Sequence, residues 1–123
     1  MRPINILIFL VLSLSLSLVP VRGAMGASAK DNYRTYCAQC HGVQGNGQGI
    51  NVRDMSVQPR NHTDGVYMSS RSDHDLFTAD KKGGLAINKS VLMPPWGDTL
   101  NDKEIQAMVQ YLRMLCHCQE GKQ

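Results

Sequence analysis

Cys37-Ala38-Gln39-Cys40-His41 sets two thiols and an imidazole within five residues, and a glycine-studded stretch from Gly42 to Gly49 follows at once. Three chemistries suit such a cluster: a metal held directly by the side chains, a dithiol that exchanges electrons, or a cofactor attached through both sulfurs. The choice among them decides the fold, because each needs a different scaffold around the same five residues.

Upstream, Met1 to Pro3 is a short positive segment, residues 4–19 are apolar apart from Asn5 and three serines, and small residues run from Gly23 to Ala29. That is the layout of a secretory signal peptide. The apolar run falls short of the roughly 20 residues a spanning helix needs, so the expectation is cleavage rather than anchoring, and membrane attachment follows only if the leader is retained. Ala27-Ser28-Ala29 fits the cleavage pattern, with Ala24-Met25-Gly26 as the second choice, giving a leader over 1–29 and one small domain over 30–123.

Of the 13 basic residues in the chain, Arg2 and Arg22 belong to the leader, so the remainder nearly balances its 10 acidic residues. Nothing in that charge points to nucleic acid or an anionic membrane surface. A domain of this size buries a modest core and tends to recruit disulfides, a metal or a cofactor. Export would also place the four cysteines where free thiols are consumed.

The periodicities are helical. Ser28 or Asp31 can cap a first helix that brings Tyr33, Tyr36, Cys37, Cys40 and His41 onto one face and stops at Gly42. Glycines at 42, 45, 47 and 49 make a flexible loop, which is no phosphate loop because the Gly-Lys-Ser/Thr ending is missing. Residues 52–68 show no sustained period and read as a structured loop. Ser72, with Asp75 three residues on, opens a second helix with Leu76 and Phe77 inward and two lysines before the closing glycines. Pro94 and Pro95 forbid helix around Met93 and hold it on an extended loop. Asn101 and Glu104 form a capping box ahead of Ile105, Met108, Val109, Leu112 and Leu115, spaced as the apolar stripe of a final helix. No strand period occurs, so the expected class is all-α, three or four helices whose long loops wrap something.

With that scaffold the three chemistries separate. Four thiolates from Cys37, Cys40, Cys116 and Cys118 would suffice for structural zinc, but the second pair is too closely spaced and His41 and Met93 are left idle. A redox dithiol needs a preceding strand and a position at a helix start; here the strand is missing and the cysteines end a helix. C-x-x-C-H is the attachment signal of a c-type haem. On one helical turn both sulfurs face the same way as the imidazole, so thioethers can form to one edge of the macrocycle while His41 reaches the iron. Met93 is the candidate second ligand: two prolines after it stiffen the loop, whereas Met108 and Met114 read as helix packing.

The stretches "YCAQCHGVQGNGQG", "LMPPWG" and "LNDKEIQAMVQYLRML" together resemble a class I cytochrome c domain, and are most similar to the haem-c subunits of cbb-type terminal oxidases and to small periplasmic cytochromes. The resemblance runs from Tyr33 to Leu115. It implies one haem c, covalently held by Cys37 and Cys40, with iron ligated by His41 and Met93, wrapped by N- and C-terminal helices that cross near Gly42. It also implies a proline carbonyl on the unbound nitrogen of the proximal imidazole, for which Pro59 is the natural counterpart.

Other residues have plainer readings. His62 and His74 are rival ligands in principle, but an exposed loop position suits the first and a solvated capping turn the second. Arg60 suits a haem propionate or plain solvent. Trp96 packs near the centre or closes the core, and Tyr111 packs near the first helix. Cys116-His117-Cys118 lies beyond the family pattern and leaves an internal disulfide, a cross-link to a partner and a metal site all open. The expected function is that of an exported, periplasmic one-electron carrier rather than an enzyme, docking transiently on redox partner proteins. The alternatives are a haem-c subunit of a larger respiratory oxidoreductase, or a gas- or peroxide-binding protein if Met93 is off the iron.

Overall fold

In the computed structural model, residues 26–122 are described, and the leader expected over 1–29 lies almost wholly outside them. Ser28 is the N-cap of the first helix, its hydroxyl accepting the Asp31 backbone N–H at 3.2 Å. The first helix, α1, occupies residues 29–41 in three contiguous pieces: α-helical Ala29–Asn32, a π-helical turn Tyr33–Cys37, and α-helical Ala38–His41. The periodicity predicts a plain α-helix here. In the widened turn the Ala38 N–H reaches back to the Tyr33 carbonyl, adding one residue to that turn. Tyr33 is thereby fully buried while Cys37, Cys40 and His41 stay partly open on the side facing a cavity.

The glycine loop is not the loose connection the sequence suggests. The N–H groups of Gly47, Gly49 and Asn51 donate to the carbonyls of His41, Cys40 and Gln39 at 2.8, 3.0 and 2.9 Å, satisfying the last carbonyls of α1. The loop must lie directly on the helix to do this. A Cβ at Gly49 would collide with the Gln39 carbonyl, so a glycine is required there.

Residues 52–68 hold more structure than expected, with a 3₁₀ turn at Val52–Asp54 and a short helix α2 at Gly65–Ser69, capped by the Asp64 side chain on the Tyr67 N–H. Asp73–Lys82 forms α3 with Ser72 as its cap, and a 3₁₀ turn Gly84–Ile87 follows. The last helix, α4, is Asp102–Cys116, and both halves of the Asn101/Glu104 capping box are present.

α4 is the spine, with α1, α2 and α3 all packed against it. Its inward stripe of Ile105, Met108, Val109 and Leu112 is buried together with Tyr33, Met68 and Leu76. Each such side chain contributes about 1.5–3 kcal/mol on burial, against about 1 kcal/mol for the capping box, so the stripe and not the cap holds α4 in place. The described residues contain four helices and no sheet; one isolated antiparallel bridge joins Gln119 to Lys122. None of their helices is long and apolar enough to cross a membrane.

Candidate functional site

Between α1, α3 and the loop that precedes α4 lies a cavity of about 380 Å³. Cys37, Cys40, His41 and Met93, from two stretches fifty residues apart, all line it. Each arrives there for a local reason.

His41 ends α1, and its Nδ1 lies 2.8 Å from the Arg60 carbonyl. A carbonyl only accepts, so Nδ1 carries the proton and Nε2 is left with the free lone pair that a metal needs. The expected partner was the carbonyl of Pro59. The bond goes one residue further on, because the Pro59 carbonyl faces Gly47, where it would meet a Cβ at 3.0 Å. Burial holds the imidazole pKa below its ordinary value, keeping the ring neutral and ready to act as a ligand.

Met93 is held from both sides. Its carbonyl accepts the Gly84 N–H at 3.0 Å, and beyond the two prolines the N–H groups of Trp96 and Gly97 donate to Asp80 and Lys81 at 2.9 and 3.0 Å. Thus the open carbonyls at the end of α3 are capped by the methionine loop itself. The crossing is tight: Gly83 has φ +83°, and a Cβ there would meet the Met93 carbonyl at 2.9 Å. The double glycine after α3, read from the sequence only as a helix stop, is what lets the Met93 segment lie across it.

The thiols of Cys37 and Cys40 are free. Burial, with Asp80 and Cys40 nearby, pushes the Cys37 thiol up to about 12. A reactive dithiol shows the opposite shift and sits at a helix start, whereas Cys37 and Cys40 lie at the end of α1, so the geometry speaks against the oxidoreductase reading. The zinc reading goes as well. Cys116 and Cys118 are bonded to each other, and among the described residues no group of three or more His, Cys, Asp or Glu side chains is placed to hold a metal.

His62 corrects the sequence reading. It is buried, its ring stacks on His41 with centroids 4.1 Å apart and planes at 16°, and its Nδ1 lies 3.0 Å from the Tyr33 hydroxyl. The segment that carries the Arg60 carbonyl to His41 brings residue 62 under the same ring, a contact no local pattern announces. His74 is exposed, as expected. Trp96 lines the cavity with its ring tilted on Tyr36 at 5.1 Å, and Tyr111 packs on Tyr33 at 5.3 Å.

At one edge the cavity is cationic. The Arg60 and Arg71 guanidinium carbons sit 3.8 and 4.8 Å from the Tyr67 ring centroid, and the Arg71 Nε is buried without a partner. An unpaired buried donor beside a second arginine suits a carboxylate-bearing ligand. Sequence reasoning considered Arg60 alone; Arg71 and Tyr67 join it only through the fold.

A family model described as cytochrome C oxidase, cbb3-type, subunit III matches residues 24–112, most of the chain. The chain belongs to this cytochrome c family. The solved structure of the KustC0563 c-type cytochrome is similar in fold, with a TM-score of 0.58 and 22% identity over 72% of this chain and 98% of that one. A second similar chain comes from the Kuenenia stuttgartiensis reducing HAO-like protein complex Kustc0457/Kustc0458, at a TM-score of 0.55 and 30% identity; the match covers 71% of this chain and 40% of that one. No curated protein matches the sequence.

For a c-type cytochrome the family implies covalent haem c and haem-based electron transfer. The cavity suits that group: two thiols and a neutral imidazole with its Nε2 free lie along one side, mostly apolar side chains line the interior, and two arginines stand at an edge. The cytochrome's C-terminal Cys116–Cys118 disulfide lies apart from this cavity, closing the end of α4 around His117 at φ 50°.

Proposed function

We propose that this cytochrome is an exported, monohaem electron carrier in which Cys37 and Cys40 hold the macrocycle and His41 and Met93 close the coordination of the iron. One observation carries the reading: all four side chains line a single cavity, with the Nδ1 of His41 already committed to the Arg60 carbonyl. Bound haem supplies a one-electron redox centre. The chain's own part is to orient the imidazole, to hold the thioether of Met93 on a loop pinned to the end of α3, and to keep water out with the buried stripe of α4. A thioether ligand favours a higher potential than a second nitrogen donor, and a filled shell leaves no site for oxygen or peroxide chemistry. Arg60 and Arg71 would receive the propionates.

The apolar run over residues 4–19 supports export to the periplasm. Cleavage after Ala29 would remove Ser28, the cap of α1, whereas cleavage after Gly26 would keep it. The capped start therefore favours the second site. Docking of redox partners at the cavity mouth suits the half-exposed apolar side chains Val57 and Leu92, which line it.

The decisive experiment is an absorption spectrum of the purified protein. The α-band of the reduced form reports covalent attachment, and the weak sulfur-to-iron band of the oxidised form reports Met93. Loss of the second band in Met93→Ala is the expected result; a wild-type protein without it refutes the ligand assignment. A second reading, a domain or subunit of a larger complex, is favoured by the similar chain from the reducing HAO-like protein complex, of which the match covers 40%. Size-exclusion chromatography of native extract tells a free carrier from a bound subunit.

A further inference from the structure

The inward face of α3 carries Leu76, Ala79 and Asp80, spaced as any buried helix face is. Two of these suit an apolar interior; the third is a carboxyl group. Asp80 is 6% exposed, it lines the haem cavity, and its Oδ2 has no hydrogen-bond partner. Its backbone carbonyl accepts the Trp96 N–H, which leaves the side chain unserved.

Among the described residues no cation forms an ion pair with it. From α1, the ionisable groups facing it are Tyr33 and Cys37. From α4, Tyr111 reaches Tyr33. Lys81, the next residue, pairs outward with Asp102, and the cations of Arg60 and Arg71 lie on Tyr67. The loop over residues 93–97 brings no ionisable side chain. Once Cys37 is a thioether it cannot titrate, and burial drives the Tyr33 phenol further above its ordinary range. Asp75 and Lys89 also line the cavity, but neither makes an ion pair or hydrogen bond to Asp80, and burial pushes the Asp80 carboxyl up to about 7. A buried, unpartnered carboxyl group on the wall of a redox cavity costs several kcal/mol when ionised, and that cost depends on the charge beside it.

We propose that Asp80 is a redox-linked proton acceptor, binding one proton from solvent when the haem cavity gains an electron and releasing it when the electron leaves. With haem bound, an electron supplied by the redox partner would reduce ferric iron to ferrous and lower the positive charge in the cavity by one. One O–H bond forms on the Asp80 carboxylate with a proton from water, and no bond to the macrocycle is made or broken. Oxidation reverses both transfers. Asp80 therefore holds its proton more tightly in the reduced state, and the reduction potential falls as pH rises between its two pKa values. This rests on haem occupying the cavity, and is indifferent to the side chain on the iron's distal side.

The test is the midpoint potential of the holoprotein from pH 5 to pH 9 for wild type, Asp80→Asn and Asp80→Glu, with reduced-minus-oxidised infrared difference spectra. The expected wild-type potential falls with pH between the two pKa values, its slope bounded by one proton per electron, about 59 mV per pH unit for a one-electron couple. Asp80→Asn abolishes the slope and the carboxyl stretch, while Asp80→Glu keeps the slope over a displaced range and shifts the stretch. A flat wild-type potential, or the same slope in Asp80→Asn, overturns the proposal. Should Asp80→Asn fail to accumulate, the wild-type carboxyl band and its shift in Asp80→Glu decide. An intact sulfur-to-iron band with a flat potential sinks Asp80 and spares Met93; a slope in a wild type that lacks the band supports Asp80 and refutes the Met93 ligand.

Discussion

Arg113→Met tests what holds the cationic edge of the cavity in place. The Arg113 side chain is 8% exposed and reaches out of α4 to three oxygen partners and, more distantly, to the Cys118 sulfur at 3.8 Å. Its Nη1 donates to the Met68 carbonyl at 2.7 Å, its Nη2 to the Arg71 carbonyl at 2.7 Å, and its Nε to the Asp73 carboxylate at 2.8 Å. The two carbonyls bracket the segment that joins α2 to α3, next to Tyr67. Methionine keeps the packing of the stem and removes every donor. The Arg71 carbonyl left without its charged donor costs about 1–3 kcal/mol, and the Met68 carbonyl, which still accepts the Arg71 N–H at 3.1 Å, loses one charged hydrogen bond of about 1.5–3 kcal/mol. The Asp73 side chain is 45% exposed, so solvent screening discounts its share to at most about 1 kcal/mol. The expected loss is about 3–5 kcal/mol, a large part of the stability of a domain this small. Urea unfolding of the holoprotein, followed by far-UV circular dichroism, should show the midpoint falling with an unchanged slope. The Tyr67 and Arg71 side of the haem should also become looser, visible as a perturbed Soret spectrum well below the unfolding transition. A loss under about 1 kcal/mol would refute the reasoning, since it would mean that the bracketed segment holds its shape without the guanidinium.

Stability should fall as pH rises through the Asp80 window. The carboxyl group sits near 3.8 in the unfolded chain and is pushed up to about 7 in the fold, so between those values the native state holds a proton that the unfolded state has lost. From pH 5 to pH 8 the wild-type holoprotein should lose about 3 kcal/mol relative to Asp80→Asn, about two units at about 1.4 kcal/mol each; parallel urea midpoints for the two would contradict it. Met93→Ala should keep covalent haem yet bind carbon monoxide rapidly once reduced, whereas wild type should bind it slowly, and equal rates would remove Met93 from the iron. Reducing the Cys116–Cys118 disulfide, or replacing both residues with serine, should free the tail that pairs Gly121 with the Ser69 carbonyl and Glu120 with the Asp73 N–H. Limited proteolysis should then cut within residues 117–122 with a stability loss under about 2 kcal/mol and an unchanged α-band; an uncut tail would show that the bond does not hold it.

The helices and the attachment motif were legible because they are local. A capping box acts across three residues, an apolar stripe repeats every three or four, and C-x-x-C-H brings its three side chains together on one turn of backbone whatever surrounds it. Met93 could be singled out because its two prolines stiffen the loop chemically, before any tertiary contact forms. Other features depend on chain segments far apart in sequence. The Arg60 carbonyl, and not that of Pro59, meets His41 because Pro59 turns toward Gly47; His62 is buried because the same crossing slides it beneath the His41 ring. Arg71 joins Arg60 over Tyr67 only after α2 and α3 have packed on α4. Asp80 shows the division within one residue. Its place on the inward face of α3 follows from helical spacing, but that it has no partner there depends on every element packed around it, and an empty hydrogen-bond position is a property of three-dimensional surroundings that no run of neighbours along the chain encodes.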